Sequence, residues 1–337
     1  MKHAGWKTGM IALLLTSVVG CSNSASPDQA ATQQSSTTQQ QTTNTQSDSS
    51  TSSQQAANTI SVDEKKAAQL LAQFKNHPTK VVTVSVAITE ILNELGVTPV
   101  GVPTTSSKLP AALDNVPRIG TSHQPDLEQV AKLQPDVILG PTSIKASIDK
   151  KFKPASLPTA YLPVDSLDEL KLSTVVLGRL FKQEEKATAF LQSIADKEKT
   201  IIEGIKGKTA PKVLFLFGSA EALMVMNENT FVGSLARNLG ASNVAADVLH
   251  QTETYVPLNM ESIVAANPDV ILLVAHGDPS AVTKKFEEDV KKNGAWEKMN
   301  AFKNGKMKAL DYSTFGIASL VKAPTAYEEL AQILYNE

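Results

Sequence analysis

The chain has 337 residues, a formal net charge of −2 and a pI near 6.3. This length accommodates two domains of ordinary size. The nearly balanced charge gives no electrostatic reason to expect nucleic acid as a partner.

The first twenty residues have the composition of a secretory signal. Lys2 and Lys7 precede an apolar run, Met10–Gly20, which is shorter than the ~20 residues that a membrane-spanning helix requires. Cys21 follows this run directly and is the only cysteine, which excludes an internal disulfide. The run ends in Val-Val-Gly-Cys, which resembles a bacterial lipobox. We therefore expect a signal peptide over residues 1–20 and a lipid-modified, palmitate-bearing Cys21 at the start of the mature chain.

Residues 21–58 are predicted to form a disordered tether. They consist mainly of Ser, Thr, Gln, Asn and Ala, with almost no apolar bulk to offset the entropy of ordering. A flexible segment of this length has a reach of roughly 30–35 Å, estimated as 5–6 Å times the square root of its length. The tether would hold a globular body just off a membrane.

The remaining sequence contains an internal echo. The first copy is Leu127-Glu128-Gln129-Val130, followed after four residues by Pro135-Asp136. The second copy is Met260-Glu261-Ser262-Ile263, followed after four residues by Pro268-Asp269. In both copies, Val-Ile-Leu comes directly after the Pro-Asp pair. The separation of 133 positions between Glu128 and Glu261 exceeds the period of about 20–50 residues of solenoid repeats. The echo indicates two similar lobes, each with a short helix that leads into a buried strand.

Strands and helices alternate along the first lobe, as in a right-handed, mostly parallel sheet. Ser61 and Glu64 have the spacing of a capping box, and Gly96 is a predicted helix C-cap. The predicted elements are helices over Ser61–Asn76 and Ala87–Leu95, and strands over Lys80–Ser85, Thr98–Pro103, Leu133–Gly140 and Thr159–Pro163.

Ser166–Gly204 has apolar residues at helical spacing without an intervening proline, which predicts one long helix or two nearly continuous ones. A second series of strands and helices follows Pro211. Its predicted strands are Lys212–Gly218, Met224–Met226, Asp269–Val274 and Lys308–Leu310, and its predicted helices are Phe231–Leu239, Ser262–Ala266, Ala281–Asn293 and Thr325–Tyr335.

The predicted fold class is α/β, with two Rossmann-like lobes joined by a long α-helix. The domain boundaries follow from the composition and the predicted elements. They are 59–164 for the N-terminal lobe, 165–206 for the connecting helix and 207–337 for the C-terminal lobe.

This organisation resembles the substrate-binding lipoproteins of ABC importers that have a rigid helical connector and bind cobalamin, ferric siderophores or haem between their lobes. VSVAITEILNELGVTPVGVP (84–103) and the Glu-to-Pro-Asp echo carry this resemblance. GVPTTSSKLP (101–110), VPRIGTSHQPDLE (116–128) and VAHGD (274–278) resemble more specifically the haem-receptor lipoproteins of the iron-regulated surface determinant (Isd) systems.

The resemblance implies a non-enzymatic receptor that binds haem b and delivers it to an ABC-transporter permease for iron acquisition. It implies a lipid-anchored monomer on the extracellular face of the membrane of a Gram-positive bacterium, and upstream cell-wall haem carriers as further partners.

The resemblance also assigns the axial ligands of the haem iron. The family's histidine falls on His276, at the carboxyl end of an apolar strand, where α/β sheets place ligands. The family's methionine falls on His123, so the iron is bis-histidine if His123 binds, and otherwise five-coordinate or bound to water on that side. A second imidazole in place of methionine favours ferric iron, because methionine ligation raises the potential. His250 is a reserve ligand, and His77 is expected at the surface.

Haem propionates require hydrogen-bond donors or cations. Val84, Ser85, Val86 and Ala87 pass from a strand into a helix, whose first N–H groups bind anions. Lys108 and Arg118 are candidate cationic partners. Further candidates to line an apolar cleft are Tyr255, Tyr312, Phe315, Met224, Met226 and Met260.

Glu128 and Glu261 occupy equivalent positions of the two lobes. In this class of transporter, one glutamate on each lobe engages basic residues of the permease, so these two carboxylates are predicted to dock on a two-fold membrane partner.

Other functions remain open at this point. A ferric-siderophore or cobalamin receptor has the same scaffold, and a Zn or Mn receptor needs carboxylates to complete the two histidines. The sequence contains no G-x-S-x-G, HExxH or phosphate-binding glycine loop. Two axial protein ligands block the position at which oxygen binds, which argues against a haem-dependent enzyme.

Overall fold

The computed structural model describes residues 61–219, 222–276 and 278–336, which fall within one compact unit, Ala56–Glu337. The predicted signal peptide, Cys21 and the tether of residues 21–58 lie outside the described residues and stay predictions. In the described ranges, no helix combines the length and apolar character that crossing a membrane requires.

The first sheet is parallel throughout, and its strands in spatial order are β1 (Val81–Thr83), β2 (Val137–Pro141) and β3 (Thr159–Leu162). Two parallel bridges continue the sheet beyond β1, one from Val82 to Gly101 and one from Val102 to Arg118. The strand predicted over Thr98–Pro103 is reduced to these bridges, because prolines at both ends of the segment cannot donate to a ladder.

The second sheet has six strands, in the order β7–β5–β4–β8–β9 with β6 also paired to β4. Strands β6 and β8 pair with β4 in parallel, and β9 pairs with β8 in parallel. In contrast, β5 runs antiparallel to β4, and β7 runs antiparallel to β5. The strands are β4 (Lys212–Gly218), β5 (Leu223–Met226), β6 (Ser242–Asn243), β7 (Tyr255–Pro257), β8 (Val270–Ala275) and β9 (Met307–Ala309).

Both sheets are covered on both faces, as the apolar strands predict. In the first sheet, Val81 and Leu139 belong to one hydrophobic cluster, whereas their neighbours Val82 and Ile138 belong to another. The residues of β4 and β8 alternate in the same way. The first cluster reaches from one sheet to the other, so a continuous apolar core runs through both lobes.

Four helices belong to the first lobe. The first is shorter than predicted and begins one turn later, because Asp63 rather than Ser61 caps it and accepts the Lys66 N–H at 2.9 Å. The predicted C-cap is confirmed: Gly96 has φ +72°, which a residue with a Cβ rarely adopts. These helices are α1 (Glu64–Leu71), α2 (Val86–Glu94), α3 (Leu127–Lys132) and α4 (Lys145–Phe152).

The connecting segment consists of two helices, α5 (Leu167–Leu180) and α6 (Glu184–Gly204), that fold back on each other. Lys182, with φ +55°, forms the turn between them. Both predicted arrangements, one long helix and two nearly continuous helices, were wrong. The sequence did not reveal the turn, because no glycine or proline marks it. At 21 residues, α6 alone spans roughly 31 Å and leads into the second sheet.

Six further helices belong to the second lobe. Each predicted helix of this lobe is present, with bounds that differ by a few residues. They are α7 (Phe231–Asn238), α8 (Met260–Ala266), α9 (Pro279–Lys292), α10 (Asn300–Lys303), α11 (Tyr312–Phe315) and α12 (Ala323–Tyr335).

The repeated Pro-Asp has the same role in each lobe. Asp136 accepts hydrogen bonds from the Thr79 N–H and hydroxyl and the Lys80 N–H, all within 2.8 Å, and these bonds lower the pKa of Asp136 to about 2. Asp269 accepts the Lys212 N–H at 2.9 Å. Each aspartate therefore fixes the start of the neighbouring parallel strand, β1 or β4.

A polar network around Glu198 on α6 joins the connecting helices to the second lobe. Its carboxylate pairs with Lys171 of α5 at 2.8 Å and accepts hydrogen bonds from the Tyr327 hydroxyl of α12 at 2.6 Å and the Asn238 amide of α7 at 2.9 Å. Tyr327 is fully buried, and this burial, together with the Glu198 carboxylate, raises the pKa of Tyr327. Because α5 and α6 form the connecting segment whereas α7 and α12 belong to the second lobe, one carboxylate ties this segment to that lobe.

We expect Glu198→Ala to lower the free energy of unfolding by roughly 2–3 kcal/mol, because it leaves the buried Tyr327 hydroxyl without an acceptor and removes the partner of Lys171. Urea denaturation measures this change. Glu203→Ala, on the exposed side of the same helix, is the matched control. Equal stability of the two variants would contradict the role of Glu198.

Candidate functional site

A cleft of about 790 Å³ lies between the lobes and is lined by residues of both. This volume falls within the ~300–1,000 Å³ typical of small-molecule sites. It occupies the edge at which the parallel strands end, the place where α/β folds bind ligands.

The wall from the first lobe follows the strand order. From one edge of the sheet to the other, its residues follow Arg118 of the outermost bridge, Val102, β1, β2 and β3. These residues are Thr121–His123, Thr104–Ser106, Ser85–Ala87, Pro141 and Val164–Asp165. The outermost segments are about four strand spacings apart, roughly 19 Å, with His123 at one end and Asp165 at the other.

The wall from the second lobe is a row of four rings. The ring centroid of Tyr255 lies 5.4 Å from that of Phe217, Phe217 lies 5.4 Å from His276, and His276 lies 6.4 Å from Tyr312. Such separations are typical of interacting aromatic side chains. The successive rings are inclined to one another by 66°, 32° and 57°, so the row presents a largely apolar, stepped surface with one imidazole within it.

Both predicted axial ligands line this cleft, one on each wall. His276 follows β8, and its N–H donates to the Gly218 carbonyl at 2.8 Å, which continues the β4–β8 ladder up to the histidine. Both histidine side chains are exposed to the cleft. An imidazole is therefore available on either side of a ligand placed between the lobes.

The loop that carries His123 is closed by an antiparallel bridge between Gly120 and Pro125. Gly120 has φ +86°, and a Cβ at this position would lie 2.6 Å from the Gln124 carbonyl oxygen. Glycine is thus required for the tight loop that places His123 at the cleft.

The predicted anion site at the start of α2 is present in part. Ser85 caps the helix and accepts the Ile88 N–H at 3.3 Å. The N–H groups of Val86 and Ala87 have no hydrogen-bond partner within the described residues, and both residues line the cleft. They can donate to an anionic group without a cation.

Three predicted cleft residues do not line it. Val84 is fully buried, and its N–H donates to the Leu139 carbonyl, so it belongs to the sheet. Lys108 is exposed two residues beyond the part of its loop that lines the cleft, and Arg118 is exposed in its bridge to Val102.

Several other candidates also lie elsewhere. His77 and His250 are outside the cleft wall, as are Met226 and Phe315, which are buried, and Met260, which packs against the second-lobe core. Tyr255, Tyr312 and Met224 line the cleft as expected.

Sequence reasoning missed Phe217, Asp165 and the hydroxyl-bearing residues of the first-lobe wall. Phe217 lies within an apolar strand, where its side chain could not be assigned to core or cleft. Thr104–Ser106 and Thr121–Ser122 carry only the signal of small polar residues after a strand. The lining residues, all within the described ranges, include neither Lys nor Arg, and Asp165 is the one carboxylate among them.

The pKa values of three groups in the cleft, Asp165, Tyr255 and Tyr312, are raised. Burial raises the pKa of Asp165, although a hydrogen bond from the Ser143 hydroxyl at 3.0 Å opposes this shift. Partial burial also raises the pKa of Tyr312 and of Tyr255, and the charge of Asp165 adds to the shift at Tyr255. The two tyrosines are therefore neutral hydrogen-bond donors.

A buried carboxyl holds the lobes together beside the cleft. Glu90 of α2 accepts a hydrogen bond from the Ser319 hydroxyl at 2.6 Å, and both residues are buried. Ser319 directly follows Ile317 and Ala318, which line the cleft. Burial raises the pKa of Glu90, although Ser319 and the charge of Lys322 oppose the shift.

The chain belongs to the periplasmic binding protein family, whose sequence profile matches residues 81–314. The fold agrees with this membership, since the family's proteins have two lobes with a cleft between them. Such proteins are the substrate-binding components of ABC transporters and are not enzymes.

Curated relatives and solved structures agree with this assignment. The "High-affinity heme uptake system protein IsdE" of Staphylococcus aureus strain Newman is 31% identical over 261 residues, which cover 77% of this chain and 88% of that protein. The crystal structure of S. aureus IsdE complexed with heme is 31% identical with a TM-score of 0.71, and it covers 76% of this chain and 99% of that one.

Two further structures show how widely the scaffold is used. An ABC transporter substrate-binding protein from Listeria monocytogenes EGD-e is 33% identical with a TM-score of 0.72, covering 78% of this chain and 100% of that one. S. aureus SirA complexed with staphyloferrin B is 23% identical with a TM-score of 0.63, covering 77% and 94%, and shows likeness of fold alone.

Within the described ranges, no group of three or more His, Cys, Asp or Glu residues is placed to hold a metal ion. The cleft therefore offers two separate imidazoles rather than a ligand cluster.

We expect the stability of the protein to depend on pH through Glu90. Folding raises the pKa of Glu90 above its ordinary value of 4.5. The contribution of Glu90 to the free energy of unfolding is therefore fully present below pH 4.5, and it is lost as the pH rises through the pKa of the folded state. In urea denaturation, wild-type protein should lose stability relative to Glu90→Gln as the pH increases above 4.5. The amide keeps an acceptor for Ser319. Glu185→Gln, on the exposed start of α6, should follow wild type, and a constant difference between Glu90→Gln and wild type would refute this dependence.

Proposed function

We propose that the protein is a haem receptor that delivers haem to an ABC-transporter permease for iron acquisition. The observation that carries this proposal is the pair of histidines on opposite walls of a cleft whose second wall is a row of aromatic rings. A planar apolar macrocycle can lie against such rings, and an imidazole from each lobe can reach its iron.

The charge of the cleft distinguishes haem from the rival ligands. A ferric siderophore with several negative charges needs cationic partners, and the lining residues that the structure describes provide none. Haem has an apolar ring with two propionates, for which the Val86 and Ala87 N–H groups and the Thr and Ser hydroxyls are sufficient donors. The sequence relatives that take up haem support the same choice.

The iron is bis-histidine in this proposal, with His276 and His123 as its axial ligands and with the ferric state favoured. We further propose that the lipid on Cys21 anchors the protein to the extracellular face of the membrane, that cell-wall haem carriers supply the haem, and that the receptor acts as a monomer. The segment from residue 21 to 58 would then act as the tether.

We propose that Glu128 and Glu261 dock on the permease. Both are exposed in the first turn of their helices, α3 and α8, and neither carboxylate has an ion pair within the described part of the chain. A helix that leads into a strand of a parallel sheet runs antiparallel to that strand. The N-terminus of the helix therefore lies at the edge where the strands end. Both carboxylates therefore flank the cleft, one on each lobe.

Titration of the soluble body, from residue 58 onward, with ferric haem tests the receptor function. We expect a saturable low-spin spectrum of a bis-imidazole complex, which His276→Ala and His123→Ala each abolish. His77→Ala, outside the cleft, should leave it unchanged. Loss with His276→Ala alone would remove His123 from the ligand pair.

Absence of any saturable haem spectrum in the wild-type protein would overturn the proposed function. In that case, titration with ferric siderophores, cobalamin, and Zn²⁺ or Mn²⁺ would separate the remaining receptors of this scaffold.

Charge reversal tests the docking surface. We expect Glu128→Lys and Glu261→Lys each to reduce haem uptake by cells by at least about tenfold, because each substitution replaces an attraction to basic residues of the permease by a repulsion. A tenfold change corresponds to ~1.4 kcal/mol. The haem spectrum should be unchanged in both. Glu203→Lys, on the exposed side of α6, is the control, and loss of haem binding in place of uptake would refute the docking assignment.

A further inference from the structure

The imidazole of His276 has an aromatic ring on each side. The Phe217 ring is centred 5.4 Å from it and inclined to it by 32°, and the Tyr312 ring is centred 6.4 Å from it at an angle of 57°. His276 follows β8, which lies between β4, the strand of Phe217, and β9, the strand that precedes Tyr312. The two rings therefore approach the imidazole from opposite directions along the sheet, at separations typical of interacting rings.

Hydrogen bonds in the described ranges fix the backbone of His276 but not its ring. The His276 N–H donates to the Gly218 carbonyl at 2.8 Å, whereas neither nitrogen of the imidazole has a hydrogen-bond partner among the described residues. A metal-binding histidine usually donates its second ring N–H to a carboxylate or a carbonyl, which fixes the orientation of the ring. In this cleft, the neighbouring aromatic rings are the groups that can orient it.

Phe217 is itself held in place by the sheet and by the core. It is paired with Val274 of β8 and Met224 of β5, and its half-buried side chain packs against the apolar core that runs through both lobes. Tyr255 adds an edge contact to the Phe217 ring, with centroids 5.4 Å apart and an angle of 66°. A ring restrained in this way can restrain the imidazole beside it.

The placement of the Tyr312 ring depends on a glycine. Tyr312 begins the short helix α11, and Gly316 directly follows that helix. The Tyr312 ring lies so close to Gly316 that a Cβ at position 316 would overlap the ring carbons. Any side chain at this position would therefore move the Tyr312 ring away from its present place beside His276.

We propose that Phe217 is a positioning residue that fixes the plane of the His276 imidazole before haem binds, and that Tyr312 supports the imidazole from the other side. This inference rests on the proposed function, in which His276 is an axial ligand of the iron. An imidazole that is already oriented loses less freedom when it binds the iron, so the complex should be tighter and the iron should have a single geometry.

Electron paramagnetic resonance of the ferric haem complex tests this role, because the g-values of low-spin iron depend on the planes of its axial imidazoles. We expect one narrow set of g-values for the wild-type protein. Phe217→Leu, which keeps an apolar side chain but removes the ring, should give a broadened or a second set. Transfer of haem to excess apomyoglobin should be about three- to tenfold faster from this variant, the range that corresponds to one aromatic pair.

Three further variants define the cause. Phe217→Tyr keeps the ring and should have the g-values and the rate of haem loss of the wild type. Phe302→Leu removes an exposed ring of the same lobe outside the cleft and should change neither. Gly316→Ala keeps Phe217 and both histidines but displaces the Tyr312 ring, so it should also broaden the g-values. It is a second test, which does not depend on the folding of Phe217→Leu.

The outcomes separate this inference from the proposed function. A wild-type protein without a saturable haem spectrum ends both. A saturable haem complex with the same g-values in wild type, Phe217→Leu and Gly316→Ala overturns the positioning role and leaves the haem receptor standing. Faster haem loss from Phe217→Leu with unchanged g-values would assign Phe217 to contact with the macrocycle alone, which also overturns the positioning role.

Discussion

The Glu198 carboxylate ties the connecting helices to the second lobe, because it accepts donors from α5, α7 and α12. Lys171 comes from α5, which packs on α1 and α2 of the first lobe, and Asn238 and Tyr327 come from the second lobe. A continuous apolar core surrounds this network and runs from one sheet to the other. Interfaces of this kind resist hinge motion more than polar contacts between separate domains do. The receptor therefore presents a cleft whose walls are held in place before a ligand arrives, which reduces the cost of ordering on binding.

The chemistry of the cleft follows from the direction of its strands. In both lobes the parallel strands end at the same edge, so side chains distant in sequence face each other there. The first lobe contributes hydroxyls, helix N–H groups, His123 and Asp165, and the second contributes a row of rings that includes His276. Apolar surface on one wall and donors on the other suit an amphipathic ligand, for which haem is the proposed case.

The echo in the sequence had a structural cause that could be predicted only in outline. Its helix–strand unit was predicted and is present twice, but the bonds from Asp136 and Asp269 to the neighbouring strand required the fold. The turn at Lys182 was not predicted, because a lysine with positive φ has no distinctive sequence signature. The histidine pair was predicted from family resemblance, whereas Phe217 and Asp165 emerged only from the packing of the lobes.

The sequence by itself determined the α/β class, the two lobes, and the order of most strands and helices. These features depend on local periodicity and on residues close in the chain, which a single sequence records. Tertiary structure decided the folding back of α5 on α6, the exclusion of Val84, Lys108 and Arg118 from the cleft wall, and the pairing of Glu90 with Ser319. Glu90 and Ser319 are 229 positions apart, and contacts at such separations arise from packing between lobes, which no local pattern specifies.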